Sequence, residues 1–498
     1  MCSSDLTING QTQPGFSGRP LITLVRTGLS FEGGNAVVRG LVINQAAGIN
    51  LGFSKKGNNV AEGNYLGPHA NGTSAPGGGA LGVRSAAPNT VIGGTAGTTA
   101  GGACTGACNL ISGNSYGVVL TDYIGMSAAT GNRVEGNVIG ATVGGTAALA
   151  NELGVIASKD TVRNNSIGGT AAAARNLVAG NTRDGIVLQT GCSAHLVQGN
   201  WVGVAAGGQT GLGNGGAGVN LMGVSGMTVG GATAGLGNVI SANRGGGVRI
   251  ASTSSATASA NLVQGNLIGV GANGSGQLGN TGVGVYLASA SNNTIGGAVT
   301  GAARNAIAVP AALTAGNVIA GNTGHGVELW GSTATGNTVR GNLIGVAGDG
   351  RTPRGNGGSG VYIHDGASRN AIGGADGLTA GGACTGACNV IAHSAADGVA
   401  ITGGNANAVL GNSIHSNTGL GIDLGNDGWT RNDTIGGQAP NNWQNYPALT
   451  GITPVGGATV ISGLLRSTAN TSFRIELFAA GRCDTAGLMQ GEDRKSVV

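Results

Sequence analysis

Few residues in this chain are equipped for chemistry, and their placement is the first thing to weigh. His364-Asp365 sets an imidazole beside a carboxylate, the composition of an acid–base pair. Neighbours on a strand point to opposite faces, so the pair acts together only where a loop relaxes that alternation. Gly324-His325-Gly326 offers a second imidazole. Arg351-Thr352-Pro353-Arg354 offers two guanidiniums for a carboxylate, with Asp349 the one acid in the same loop. Asp423, Asp427 and Asp433, with Asn426 and Asn432, gather oxygen donors of the kind calcium takes. Their spacing is not that of an EF-hand loop, and the plainer reading is a polar coil end. Calcium there would be structural, and no other cofactor is expected. No Asp-Asp dipeptide occurs, so the sequence announces no paired carboxylates of a glycosidase.

Sulfur is the other reactive element. A duplicated segment, Gly-Gly-Ala-Cys-Thr-Gly-Ala-Cys-Asn, carries Cys104 with Cys108 and Cys384 with Cys388. A four-thiolate metal site would need both pairs to meet. In a solenoid with short coils they lie about twelve coils and roughly 50 Å apart. Two local disulfides are therefore expected, each pinning a loop ahead of an apolar strand. Each closed loop is short, so the entropic gain is small. Paired thiols favour an oxidising compartment. Cys192 and Cys483 have no evident partner.

The elements that must position these residues follow from composition. Glycine is 104 of 498 residues, aromatic residues are 3% and charged residues 9%. No collagen triplet occurs, and 40% apolar residues exclude disorder by composition. The net charge of +4 contains no basic block, so nucleic acid is not an expected partner. No apolar run is long enough for a membrane-spanning helix. Small and β-branched residues with frequent glycine corners describe repetitive β structure.

The repeat supports this. Apolar-x-Gly-Asn-x-apolar recurs at Asn64, Asn137, Asn200, Asn266, Asn342 and Asn412, in steps of 73, 63, 66, 76 and 70 residues. Between these lie an Asn-Thr-Ile-Gly-Gly motif, as at Asn293–Gly297, and an Asn-Val-Ile-Ser-Gly-Asn motif, as at Asn109–Asn114 and Asn238–Asn243. Gly-Val-x-Leu often follows, as in Gly326–Leu329. Taken as three units of about 23 residues per super-repeat, this predicts an all-β fold. The fold is a right-handed parallel β-helix with about 18 to 19 coils, roughly 90 Å long. Recurrent asparagine at one corner is expected to form a side-chain ladder.

Two surfaces of the sequence are unlike the rest. Met1–Leu6 and Asp493–Val498 match translations of a sequencing adaptor, so residues 1–6 and 493–498 are set aside as artefact. The chain is then expected to be an internal, metagenomic fragment of a longer protein. The repeat is expected over residues 7–440. Residues 441–492 are expected to start a truncated β-sandwich-like module, with strands Ala458–Ser467 and Thr471–Ala480 joined by Thr468-Ala469-Asn470.

Thr7-Ile8-Asn9-Gly10-Gln11-Thr12-Gln13-Pro14-Gly15-Phe16 resembles the opening of a family of large bacterial β-helix surface proteins. Val38–Asn44, the Gly-Asn-x-Ile-Gly repeats, Gly421–Gly428 and Gln444–Leu449 resemble the same family, whose members often carry a CSLREA-type segment and a pectin-lyase-like fold. The resemblance covers nearly all of residues 7–492 and implies a secreted or surface-attached repeat protein. It implies no chemistry.

Many enzymes that act on acidic polysaccharides use such a fold, but fold is not function. Gly324-His325-Gly326 resembles the Gly-His-Gly of polygalacturonases. Yet equivalent repeats put Tyr116, Asp184 and Leu420 at the His325 position, which points to a solvated surface histidine. Arg351–Arg354 resembles a pectate lyase region superficially, and equivalent loops lack arginine. The Asp-Pro-His-Asp motif of alginate epimerases is absent. Trp201 shares its slot with Tyr65, Val138, Leu267, Leu343 and Ser413, which suggests an outward position. Trp330 and Trp429 are isolated, so no continuous sugar platform is apparent.

The sequence therefore favours a non-catalytic secreted or cell-surface scaffold, an adhesin-like stalk, with no catalytic residue assigned. The alternatives are a lyase, hydrolase or epimerase of acidic polysaccharide, and a carbohydrate-binding module. Convergent Asp, His or Arg in one groove would favour the first alternative, and a row of exposed aromatics the second. The expected partner is a polysaccharide or cell-surface glycan. The sequence does not specify an oligomeric state.

Overall fold

A computed structural model describes residues 5–52, 56–123, 127–297, 315–376, 384, 386–432 and 440–476. Three parallel sheets of 13 strands each are wound by one chain, so that every coil contributes one short strand to each sheet. A representative coil lays Thr228–Gly230 into the first sheet, Val239–Ile240 into the second and Val248–Ala251 into the third. The architecture is a right-handed parallel β-helix, the hand that parallel crossovers take. The sheets run from Thr7 to Leu424.

The helix has 13 coils, where the repeat had suggested 18 to 19, and its strand stack is about 60 Å long. The discrepancy has a simple cause. The Gly-Asn-x-apolar and Asn-Val-Ile motifs are one structural position on alternate coils: Leu110, Val138, Leu177, Trp201 and Val239 are successive register partners in the second sheet. Each super-repeat of about 70 residues therefore holds two coils, and the remaining length lies in loops. The two cysteine pairs precede strands eight coils apart in the second sheet, about 38 Å and still far beyond reach.

The interior is a single apolar column from Phe31 to Leu424, built from Val, Ile, Leu and Ala on alternate strand positions. Asparagines line its corners. Asn64, Asn109, Asn137, Asn176 and Asn200 form one ladder, in which the Nδ2 of each donates to the Oδ1 of the next at 2.9–3.1 Å. The ladder continues through Asn238, Asn266, Asn317, Asn342 and Asn389 to Asn412. A second ladder contains Asn114, Asn151, Asn181, Asn214, Asn243, Asn280, Asn322 and Asn356. A third includes Asn261, Asn293, Asn337, Asn370 and Asn407.

The coils sit too close for a side chain at certain corners. Gly296 adopts φ +89°, and a Cβ there would lie 2.0 Å from the Arg340 carbonyl oxygen of the next coil. Glycine is required by both the left-handed backbone and the approach.

Outside the column, loops fold over the second sheet. Trp201, expected to face outward freely, is half-buried, and Tyr65 in the same column is 3% exposed. Val204, Val239, Leu267, Val270, Val318 and Leu343 form a second apolar cluster there. Arg175 lies 4.6 Å from the Trp201 ring centre. This covered face cannot serve as a sugar platform.

Beyond the helix, Ala448–Val455 pairs antiparallel with Ala458–Leu464. The expected pairing used Ala458–Ser467 and Thr471–Ala480 instead. Gly456 and Gly457, with φ +56° and +83°, make the two-residue turn that selects the earlier partner. Residues 471–476 are not a strand, and 477–480 lie outside the described residues, as do Cys2, Cys483 and 493–498.

One ladder position is occupied by histidine. His195 is 1% exposed, and its Nδ1 accepts the Asn165 amide at 3.1 Å, as an asparagine Oδ1 does elsewhere. Burial pushes this imidazole down to about 4. The unfolded chain takes up the proton near 6.5, so between those values it binds more protons than the folded chain. The His195 contribution is thus complete above pH 6.5 and falls by about 3 kcal/mol as pH drops toward 4. His195→Asn is expected to flatten denaturant stability across this window by about one proton's worth of slope. An unchanged slope would refute the assignment.

Candidate active site

The third sheet carries the chemistry on its outer face. Its strands repeat an inward–outward alternation, and register alignment makes columns of the outward positions. One column reads Asn220, Arg249, Tyr286, Glu328 and Tyr362 on consecutive coils. The neighbouring column reads Ala288, Trp330 and His364. The sequence disperses these residues over 145 positions, and the coil stack sets them at about 4.8 Å steps.

His364 is the centre of the cluster. Its Nε2 lies 3.0 Å from Glu328 Oε1 on the preceding coil, and its Nδ1 lies 2.9 Å from Asp365 Oδ2. Both ring nitrogens thus face carboxylates. The adjacency objection to His364-Asp365 is removed by the backbone: His364 ends its strand, and Asp365 has φ +50°, which curls its side chain back. The Glu328 and His364 side chains are 16% and 17% exposed, while Asp365 is 62% exposed. The inner contact is therefore shielded and the outer one wet.

Three rings stack in the cluster. Tyr362 lies between two histidines, with ring centres 4.3 Å from His364 and 4.6 Å from His325. His325 is half-buried rather than a solvated surface histidine. Its Nδ1 accepts the Ser359 amide at 2.9 Å. Burial pushes it below the usual imidazole range; Glu328 opposes this and His364 adds to it. The ring is neutral near pH 7, and with Nδ1 accepting, its proton sits on Nε2.

This slot has a structural role in other coils too. Asp184 Oδ1 accepts the Ala217 amide, and Asp397 Oδ1 the Leu420 amide, both at 2.6 Å. The variable position ahead of Gly-Val is thus a cap for the next coil. Burial raises the Asp397 carboxyl, and Asp423 adds to this. Asn220 joins the capping residues to the column: it donates to Asp184 Oδ2 at 3.1 Å, and its Oδ1 accepts from Arg249 at 3.4 Å.

Burial holds the Tyr286 hydroxyl above the usual phenol range, and the Glu328 and Asp365 carboxylates reinforce this against Arg249. Tyr286 is therefore a proton donor at neutral pH, set between a guanidinium and a carboxylate.

The other sequence candidates lie elsewhere. Arg354 Nε donates to the Ser275 carbonyl at 2.7 Å, and Asp349 accepts the Arg351 and Thr352 amides. These residues buttress loops outside the column. Asp423 is 2% exposed and accepts the Asn426 and Gly428 amides at 3.2 and 2.9 Å. Asp427 accepts from Thr430, and Asp433 lies outside the described residues. Among the described residues, no group of three or more His, Cys, Asp or Glu is arranged to hold a metal ion. Cys104 is bonded to Cys108 and Cys384 to Cys388, each pair with Cα atoms 5.3 Å apart. Cys192 is buried in the core as a free thiol. Glu328, Tyr286 and Arg249 escaped the sequence reading, because each fills the variable position of an ordinary strand.

No protein-family model and no curated protein matches the chain. Among solved structures, it is similar to the periplasmic alginate epimerase AlgG, at 14% identity over 84% of this chain and 83% of that one, with a TM-score of 0.45. The A-module of Azotobacter vinelandii mannuronan C-5 epimerase AlgE4 is 14% identical over 84% and 83%, with a TM-score of 0.33. PfbA, a surface adhesin of Streptococcus pneumoniae, is 11% identical over 90% and 92%, with a TM-score of 0.25. These are likenesses of coil architecture, and no site residue is transferred from them. Fold and cluster together define a parallel β-helix protein with an acid–base constellation on its outer face.

The mutual influence of the cluster is measurable. Glu328→Gln removes the charge that supports His325 protonation, so the His325 midpoint should move further down in an imidazole NMR titration. A midpoint that stays or rises would contradict the geometry.

Proposed function

We propose that this protein acts on an acidic polysaccharide at the outer face of the third sheet, abstracting the proton beside a uronate carboxylate. The observation that carries this reading is the convergence of Arg249, Tyr286, Glu328 and His364 on four consecutive coils. Such a cluster supports an enzyme reading over that of an inert stalk. The Cα proton of a uronate is weakly acidic, and removing it requires neutralisation of the carboxylate. Arg249 supplies that charge. Glu328 is the base, with His364 as its positioning partner. Tyr286 is the acid, kept protonated by its surroundings, and His325 offers a further donor at Nε2.

Two outcomes share this first step. In elimination, the C5–H electrons form the C4=C5 bond as the C4–O bond breaks, and the departing oxygen takes a proton from Tyr286. In epimerisation, a proton returns to C5 on the opposite face. Neither route needs a cofactor.

The disulfides support an oxidising, extracellular setting. The motif resemblance to bacterial surface β-helix proteins agrees with it. No helix among the described residues is long and apolar enough to cross a membrane. The unbroken asparagine ladder from Asn64 to Asn412 also suits a stiff stalk, which is the second reading.

The test incubates the full chain with alginate, polygalacturonate and a neutral glucan. Readouts are unsaturated uronate absorbance and exchange of the C5 proton in heavy water. Turnover on a polyuronate is expected, with Glu328→Gln and Tyr286→Phe each lowering kcat by about 10²-fold or more. A folded chain silent on all three polymers would sink the enzyme reading and leave the stalk.

A further inference from the structure

The histidine column does not end at the cluster. Gln189, Met222, Ala251, Ala288, Trp330 and His364 are register partners in sequence along the third sheet. At its far end, a recess of about 480 Å³ opens beside Gln189 and Met222, also lined by Lys159, Asp160, Thr190 and Thr253. Five coil steps, about 24 Å, separate Gln189 from His364.

Several features suit the path between them to a sugar chain. Ala251 and Ala288 are nearly covered and keep the column low, so half-exposed Arg249 and Tyr286 stand beside it. Trp330, 38% exposed, adjoins His364 and presents an aromatic face.

The recess has its own marks of a binding site. Lys159 and Thr190 have φ +102° and +57°, backbone conformations that non-glycine residues, and β-branched ones above all, rarely adopt. Lysine is scarce, with four in 498 residues, and one stands here. Lys159 can take a carboxylate, while Asp160, Gln189 and Thr253 can hydrogen-bond hydroxyls of the same ring.

We propose that this recess is a distal subsite for the same polysaccharide, so that the protein engages a chain at least five coil steps long and discriminates against short oligomers. The inference rests on the function proposed above, and it places a substrate-length sensor far from the reacting ring.

Calorimetric titration of the full chain with oligouronides, from disaccharide to octasaccharide, tests it. Wild type should gain about tenfold in affinity once the oligomer spans the distance. Lys159→Ala and Lys159→Glu should remove that gain, and Lys159→Arg should keep it. Disaccharide and trisaccharide affinities should stay within about twofold, because they need not reach the recess. Arg163→Ala, on an exposed neighbouring corner, is the control and should leave the gain intact. Circular dichroism confirms folding of each variant. Turnover without any length-dependent affinity, or a length gain that survives both Lys159→Ala and Lys159→Glu, would overturn the subsite and spare the proposed activity. A length gain abolished at Lys159 without turnover on any polymer would overturn the activity and spare the subsite.

Discussion

The ladder asparagines are satisfied by the coils on either side of them. Asn176, for example, donates from Nδ2 to Asn200 Oδ1 and to the Val134 carbonyl, and its Oδ1 accepts from Asn137. An amide left unpaired in the interior costs its full desolvation penalty, so one coil without its neighbour is unfavourable. The same dependence fixes the distance between coils. It leaves no room for a Cβ at corners such as Gly296 and forces small, β-branched residues into the column. Everything facing inward is thereby constrained, and the outward positions are released to vary. The site uses that freedom: Arg249, Tyr286 and Glu328 occupy one slot of three successive strands whose inward residues are alike.

Rigidity of this origin suits acid–base chemistry. Groups that exchange protons must hold their separation within a fraction of an ångström. Here the separation is set by the backbone ladder rather than by loops. Stacking of His325, Tyr362 and His364 restrains the rings further. The carboxylates differ in setting, with Glu328 shielded and Asp365 largely exposed. A shielded carboxylate is the better base for a carbon acid, because it has less hydration to lose.

How much of this was legible beforehand depends on periodicity. The glycine and asparagine motifs announce a solenoid because inward constraints recur on every coil. The coil number is hidden because two motifs with different spelling, Gly-Asn-x-apolar and Asn-Val-Ile, serve one position. Only the register of Leu110 with Val138 and of Leu177 with Trp201 reveals their equivalence. The site is hidden for the same reason. A column exists only once coils are correctly counted, so Arg249, Tyr286 and Glu328 could not be placed together. His364-Asp365 was visible as a pair, but a rule for strands argued against it, and the rule lapses at a strand end where φ turns positive.

The His325 slot shows why tolerance of substitution is a poor guide here. Asp184, His325 and Asp397 differ in chemistry yet perform one structural task, accepting an amide from the next coil. Variation among them does not mark an idle surface position. It reflects instead a loose requirement for any acceptor of suitable reach. Where that acceptor is an aspartate, the coil gains a cap and a charge. Where it is His325, the cap consumes Nδ1 and leaves a neutral ring with its proton on Nε2, pointed by the same bond that holds the coil. A structural cap and an oriented proton donor are then one interaction, and in this fold a catalytic group can arise by changing which acceptor a coil happens to use.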